Sequence, residues 1–295
     1  MAGGRATHSV VVELRGPWSL ATSRRFWEGF TPAALRRRLD PDQQGAETLH
    51  TVFRVDRDWS RAEVDVTQRD GAAHLSVTGD GDLDAAAAQT LRFLALDVDA
   101  RDWPTIADRD PVLADARAQL PGLRPCGFHS PYEAAAWAVL SQRARIVQAA
   151  ALRNGLVDRH GDGGAFPAPG RLRRLDLDLP GRKAEYLHAV ADAALDGRLD
   201  GAELRSVDPE TAVAHVRGIT GLGPFGAELV VLRGANAPDA LPRHERRLDD
   251  EITHLYGPGR TLADVAPAWR PFRTWAAVHL RALREERSRE ITGHR

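Results

Sequence analysis

Cysteine occurs once in the 295 residues, as Cys126, and lysine once, as Lys183. A single cysteine excludes an internal disulfide and any four-cysteine zinc or iron–sulfur site built by one chain, and leaves a buried free thiol as the expected state. A single lysine leaves almost no amine chemistry, since nearly all positive charge is carried by arginine. No apolar run approaches the roughly 18 residues of a membrane span. The opening residues carry one arginine but no long apolar stretch before a cleavage site, so no secretion signal is expected and the expected location is cytoplasmic, near the bacterial nucleoid. There is also no excess of either charge: the net value is −1 and the isoelectric point about 6.8, so overall basicity gives no argument for a nucleic-acid partner. What is present, 43% hydrophobic and 27% charged residues, suffices for a buried core, and the length predicts two domains.

The first 80 or so residues alternate apolar and polar positions in short β-branched runs, "HSVVVEL", "LHTVFRVDRDW", "AEVDVTQ" and "AAHLSVTG". These predict strands of one antiparallel sheet. "SRRFWEGFTPAALRRRL" and "GDLDAAAAQTLRFLALD" have helical spacing, so residues 1–104 are expected to form an α+β N-terminal domain. Residues 105–290 show helical patterns only and predict an all-α domain, with 291–295 as a tail. "HSPYEAAAWAVLSQ" opens with Ser130 as N-cap, Pro131 at the first helical position and Glu133 completing a capping box, and Trp137 and Leu140 are expected to share an inward face. Asp208 and Pro209 open a later helix in the same way.

The segment "VRGITGLGPFGAELVVL" ends one helix at Gly218 and starts another near Pro224, leaving Gly221, Leu222 and Gly223 as the whole turn. Glycines there permit positive φ and close approach, Leu222 can plug the gap between the helices, and the free amides of the second helix offer a seat for an anion such as phosphate. A dinucleotide or phosphate loop is disfavoured, because no strand precedes the glycines and no Gly-Lys-Ser/Thr follows.

Read at greater length, "GLGPFGAELVVLRGANAPDALPRHE" resembles, without a gap, the hairpin, second helix and catalytic loop of the helix-hairpin-helix DNA glycosylases, on their alkylated-base branch. "LRFLALDVD", "DPVLADARAQLPGLRP", "SPYEAAAWAVLSQ", "LPGRKAEYLHAVADAALDGRLDG" and "WRPFRTWAAVHLRAL" look like family segments in family order. The resemblance implies an α+β domain followed by an all-α helix-hairpin-helix glycosylase domain. It implies a monomer that acts on damaged bases in double-stranded DNA, without a membrane. It implies no cofactor and no certain metal, apart from a structural monovalent cation on hairpin carbonyls such as those of Thr220 and Leu222. Thr220, Gly221, Leu222, Gly223, Phe225 and Gly226 would form the DNA-binding hairpin.

Breaking a glycosidic bond passes through an oxocarbenium-like state, which a carboxylate must stabilise. The family uses an aspartate; Glu245 stands at the matching position, one methylene longer. Asp239 falls in the loop, and Asp249 and Asp250 lie a helical turn too late. Glycosylases of this superfamily that also cut the strand carry a lysine two residues past the last hairpin glycine. Here that residue is Phe225, so a monofunctional enzyme is expected, and the missing cysteine cluster separates the chain from the iron–sulfur members. Base flipping needs a wedge, which the resemblance places at Arg143 beside Gln142. Phe225, Leu229 and Arg281 match base-pocket positions, with Leu229 and Arg281 standing where aromatics are found in the best-known member. Trp269, Phe272 and Trp275 have the spacing of core aromatics. Two other readings stay open at this stage: a damage-recognition protein that binds without catalysis, and a glycosylase for a different lesion.

Overall fold

The computed structural model describes residues 6–30 and 48–288. Residues 31–39 of the first expected helix and the 291–295 tail lie outside the described residues. The chain runs β1 (Ala6–Glu13), α1 (Leu20–Phe30), β2 (Thr48–Arg54), β3 (Arg61–Arg69), β4 (Ala72–Gly79) and α2 (Leu83–Phe93). The strands form one antiparallel sheet in the order β1-β4-β3-β2. Asp70 and Gly71, with φ of +53° and +72°, make the two-residue turn that joins β3 to β4. Positive φ at both centres matches the right-handed twist of the flanking strands and fixes the register Arg69 to Ala72. Each strand's alternation then sends Leu49, Phe53, Val64, Val66, Leu75 and Val77 to one buried face. The stretch to Trp59, expected as strand, is extended only to Arg54. The backbone turns through positive φ at Arg57 and Trp59, and the Trp59 amide bonds back to the Val55 carbonyl at 3.0 Å.

Beyond the sheet the described residues form helices: α3 (Ile106–Arg109), α4 (Pro111–Gln119), α5 (Pro131–Ser141), α6 (Ile146–His160), α7 (Pro169–Leu172), α8 (Lys183–Leu195), α9 (Gly201–Ser206), α10 (Pro209–Arg217), α11 (Pro224–Leu229), α12 (Arg246–Tyr256), α13 (Leu262–Val265) and α14 (Arg273–Ser288). No helix among the described residues is long and apolar enough to cross a membrane. The Ser130 side chain accepts from the Glu133 amide, and Asp208 accepts from Glu210 and Thr211, as their sequence signals predict, but the expected capping box is not completed, because the Glu133 carboxylate turns to the Arg153 guanidinium at 2.9 Å. The α9 helix, capped by Asp200, was not anticipated in "GRLDG". One expectation needs correction: α5 is buried on nearly every side, and Trp137 is only half-buried. The helix has no solvent face to set off an inward one, because α6, α8 and the continuation of α11 surround it.

Trp269, Phe272 and Trp275 are core residues, packed with Trp103, Leu248 and Leu280. The apolar layer under the sheet is closed by Leu120, Leu123, Cys126 and, from α14, Val278 and Ala282. Burial pushes the Cys126 thiol up to about 12, so it is an inert packing group. Asp56, where β2 turns back, accepts from the Arg92 guanidinium at 2.6 Å and from the Gly201 amide at 3.3 Å, linking sheet and helices. Burial outweighs Arg92 and raises its carboxyl to about 7 from an ordinary 3.8. Between those values the folded chain holds a proton that the unfolded chain has released, so this group's contribution falls as pH rises. Asp56→Asn is therefore expected to gain Tm relative to wild type between pH 5 and 8; a gap independent of pH in thermal melts would refute this.

Candidate active site

The turn between α10 and α11 is held from three sides. Gly221 has φ of +92°, and a Cβ there would lie 2.5 Å from the Tyr186 ring. Leu222 is buried between the helices, as expected of a plug. The Gln142 side-chain amide donates to the Gly221 carbonyl at 2.6 Å, which ties the end of α5 to the hairpin. Gly221→Ala combines left-handed strain with a clash against α8 and is expected to cost about 1–3 kcal/mol. A Tm within 1 °C of wild type, roughly, would contradict that reading.

Lys183, at the start of α8, donates to the carbonyls of Val139 at 3.0 Å, Leu140 at 3.0 Å and Gln142 at 2.7 Å. It thereby caps the last turn of α5, where free carbonyls favour a cation. Arg143 follows in the left-handed region, φ +52°, and is exposed. Phe225 opens the first turn of α11, is 44% exposed and has no side-chain cap before it.

After Leu229 the helix continues as a wide π turn, Val230–Gly234, in which the Ala235 amide reaches the Val230 carbonyl at 2.8 Å. Phe225, Glu228, Leu229 and Leu232, spaced at i, i+3, i+4 and i+7, line one wall of a cavity of about 120 Å³. This is comparable with the roughly 150 Å³ that accommodates a benzene ring. Glu245 and Leu248 line it from the start of α12, and Thr274, Ala277 and Arg281 from α14. The structure thus brings Phe225, Leu229, Glu245 and Arg281 to one cavity. Arg143 and Gln142 lie instead on the α5–α6 turn that abuts the hairpin.

Glu245 is the N-cap of α12, its Oε1 accepting from the Arg247 amide at 3.3 Å. Arg281 Nε stands 3.7 Å from the same oxygen and is nearly buried, whereas the Glu245 side chain is 24% exposed. The other nearby carboxylates are committed elsewhere. Asp239 takes three hydrogen bonds from Arg273, through its backbone amide, Nε and Nη2, and Asp250 faces Arg284. Thr274 exchanges hydrogen bonds with the Ala240 backbone and fixes the loop that leads to Glu245. Two residues missed in the sequence are Glu228 and His244. Glu228 is buried and accepts from the His244 ring Nδ1 at 2.7 Å and from its backbone amide at 3.0 Å. Its position one turn after Phe225 and beside Leu229 was the signal that could have found it. Among the described residues no cluster of His, Cys, Asp or Glu is placed to hold a metal ion.

No family model matches the chain. It is 26% identical over 204 residues to the DNA-3-methyladenine glycosylase of Bacillus subtilis, covering 63% of this chain and 67% of that one. It is 29% identical over 213 residues to a probable bifunctional transcriptional activator/DNA repair enzyme AlkA of Mycobacterium tuberculosis, covering 68% of this chain but only 42% of the relative. The fold is similar to that of a 3-methyladenine DNA-glycosylase from Archaeoglobus fulgidus, with a TM-score of 0.70 at 18% identity over 94% of this chain and 98% of the other. Fold, ordered motifs and relatives point the same way: the chain is similar in sequence to a DNA-3-methyladenine glycosylase and to a DNA repair enzyme AlkA, and in fold to a solved 3-methyladenine DNA-glycosylase.

Proposed function

We propose that this protein is a monofunctional DNA glycosylase that hydrolyses the N-glycosidic bond of alkylated purines. The observation that carries the reading is the cavity beside the hairpin, lined by Phe225 at its mouth and by the Glu245 carboxylate. In this mechanism the hairpin from Thr220 to Gly226 seats the DNA backbone through its free amides. The damaged nucleotide rotates out of the duplex, and Arg143, exposed on the turn that Lys183 and Gln142 hold in place, fills the gap it leaves. Phe225 stacks on the flipped base. Glu245 faces the sugar, stabilises the developing cation and orients the attacking water.

Cleavage of the strand by a Schiff base would need a free amine in the cavity. Lys183 is the only lysine of the chain and its amine is spent on three main-chain carbonyls of the α5 end. That supports release of the base alone, leaving an abasic site.

The test is release of 3-methyladenine and 7-methylguanine from methylated duplex DNA, with the strands analysed before and after alkali. Base release with breaks appearing only after alkali is the expected result. Tight binding to DNA without release of either base would replace this reading with a non-catalytic damage-recognition role or with another lesion.

A further inference from the structure

We propose that Glu228 contacts the substrate and gives the cavity its preference for a base that carries positive charge. The inference rests on the glycosylase reading above and adds to it a determinant of lesion class. Alkylation of a ring nitrogen in a purine nucleotide places a formal positive charge on the base, so a pocket can select such lesions through charge. Stacking on aromatic faces is one way to do this. This cavity offers little of it, because Phe225 is the sole aromatic in a lining that otherwise presents Leu229, Leu232 and Leu248.

Charged side chains line the cavity as well. Arg281 and Arg233 would both repel a cationic base, but Arg281 faces the Glu245 carboxylate at 3.7 Å, which offsets its charge, and Arg233 turns its guanidinium to the Cys126 carbonyl at 2.6 Å and to the Phe26 ring. Glu228 then supplies a further negative charge on the wall shared with Phe225 and Leu229. Its side chain is only 6% exposed, so water screens it weakly. Each of its oxygens accepts one hydrogen bond from His244. A carboxylate has about four acceptor sites, so both oxygens keep capacity toward a ligand. The His244 contacts fix the orientation of the group, and on the other side of the cavity they hold the residue immediately before Glu245.

A role confined to that clamp is the rival, and it makes a different prediction. A clamp acts on Glu245 and therefore on every substrate alike; a charge contact discriminates between substrates. Two measurements separate them, both on the full chain. In the first, calorimetry compares binding of a dimethyladeninium salt, a permanent cation, with that of neutral 9-methyladenine. In the second, single-turnover release of 7-methylguanine is compared with release of hypoxanthine, an uncharged lesion, from otherwise identical duplexes.

Wild type is expected to prefer the cation in both. Glu228→Gln, nearly isosteric, is expected to lower the ratio of cationic to neutral at least tenfold, roughly 1.4 kcal/mol. Glu228→Asp, which keeps the charge, is expected to retain most of the preference, and His244→Ala to slow release of both bases by one factor. Equal losses on both substrates in Glu228→Gln, or an unchanged ratio, would overturn the proposal. Preferential binding of the cation with no base released from either duplex would instead sink the glycosylase reading and leave the charge preference of the cavity standing.

Discussion

Glu245→Gln is expected to slow single-turnover base release by about 10²- to 10⁴-fold while leaving affinity for undamaged duplex DNA close to that of wild type. The substitution is nearly isosteric. Glutamine can still accept from the Arg247 amide, the contact by which Glu245 caps α12, so the helix start is preserved. What it loses is the negative charge that would face the sugar as the glycosidic bond breaks, in a cavity that excludes much of the water able to replace it. It also leaves Arg281 without the carboxylate 3.7 Å away. The Asp variant separates charge from reach. Glu245→Asp keeps the charge and draws it back by one methylene, and a misplacement of about 1 Å can cost on the order of 10²-fold. Its rate is therefore expected between those of wild type and Glu245→Gln. A Glu245→Gln rate within about tenfold of wild type would assign the chemistry elsewhere and remove Glu245 as the stabilising group.

The largest expected effect on stability lies outside the cavity lining. Arg124 is fully buried, and its guanidinium donates to five carbonyls: Pro17, Ala95, Val98, Arg15 and Gly16, at 2.6 to 3.2 Å. These carbonyls belong to the segment after β1 and the segment after α2, so one side chain ties two irregular stretches of backbone together; among the described residues only the Arg15 carbonyl has a further main-chain partner, in the Ala100 amide. Burial lowers the Arg124 pKa to about 10, which still leaves the group charged at neutral pH. Arg124→Met fills much of the volume but offers no donor, and buried carbonyls left without partners cost about 1–3 kcal/mol each before relaxation. Allowing for repacking and entry of water, a loss of roughly 3–5 kcal/mol is expected, comparable with breaking a buried ion pair. In thermal melts that is a fall in Tm on the order of 10 °C. A fall of less than about 2 °C would show that water satisfies these carbonyls as well as arginine does.

Much of the fold is legible in the sequence because local chemistry dictates it. Asp70-Gly71 can hardly form anything but a tight turn, the flanking alternation sets the buried face of each strand, and Ser130, Asp208 and Gly218 mark helix ends with their own side chains or lack of one. The hairpin is legible for the same reason: its conformation depends on glycines adjacent in the chain. Glu245, Phe225, Leu229 and Arg281 can be singled out through the resemblance of ordered segments, without knowing that one cavity collects them.

Contacts between distant residues were not legible. Glu228 and His244 are 16 residues apart and meet because the π turn and the following loop return the residues before α12 to α11. Lys183 looks like an ordinary helical residue until α8 packs beside the end of α5 and presents three carbonyls to it. Arg124 in "PGLRPCG" carries no local signal of burial, which depends on partners up to 109 residues away. By itself the sequence determined most of the elements and their ends, since these follow from neighbouring residues and backbone preferences. The tertiary structure alone decided which charges are buried together, and with them the electrostatics of the cavity, because burial and partnership are properties of the packed chain and not of any local segment.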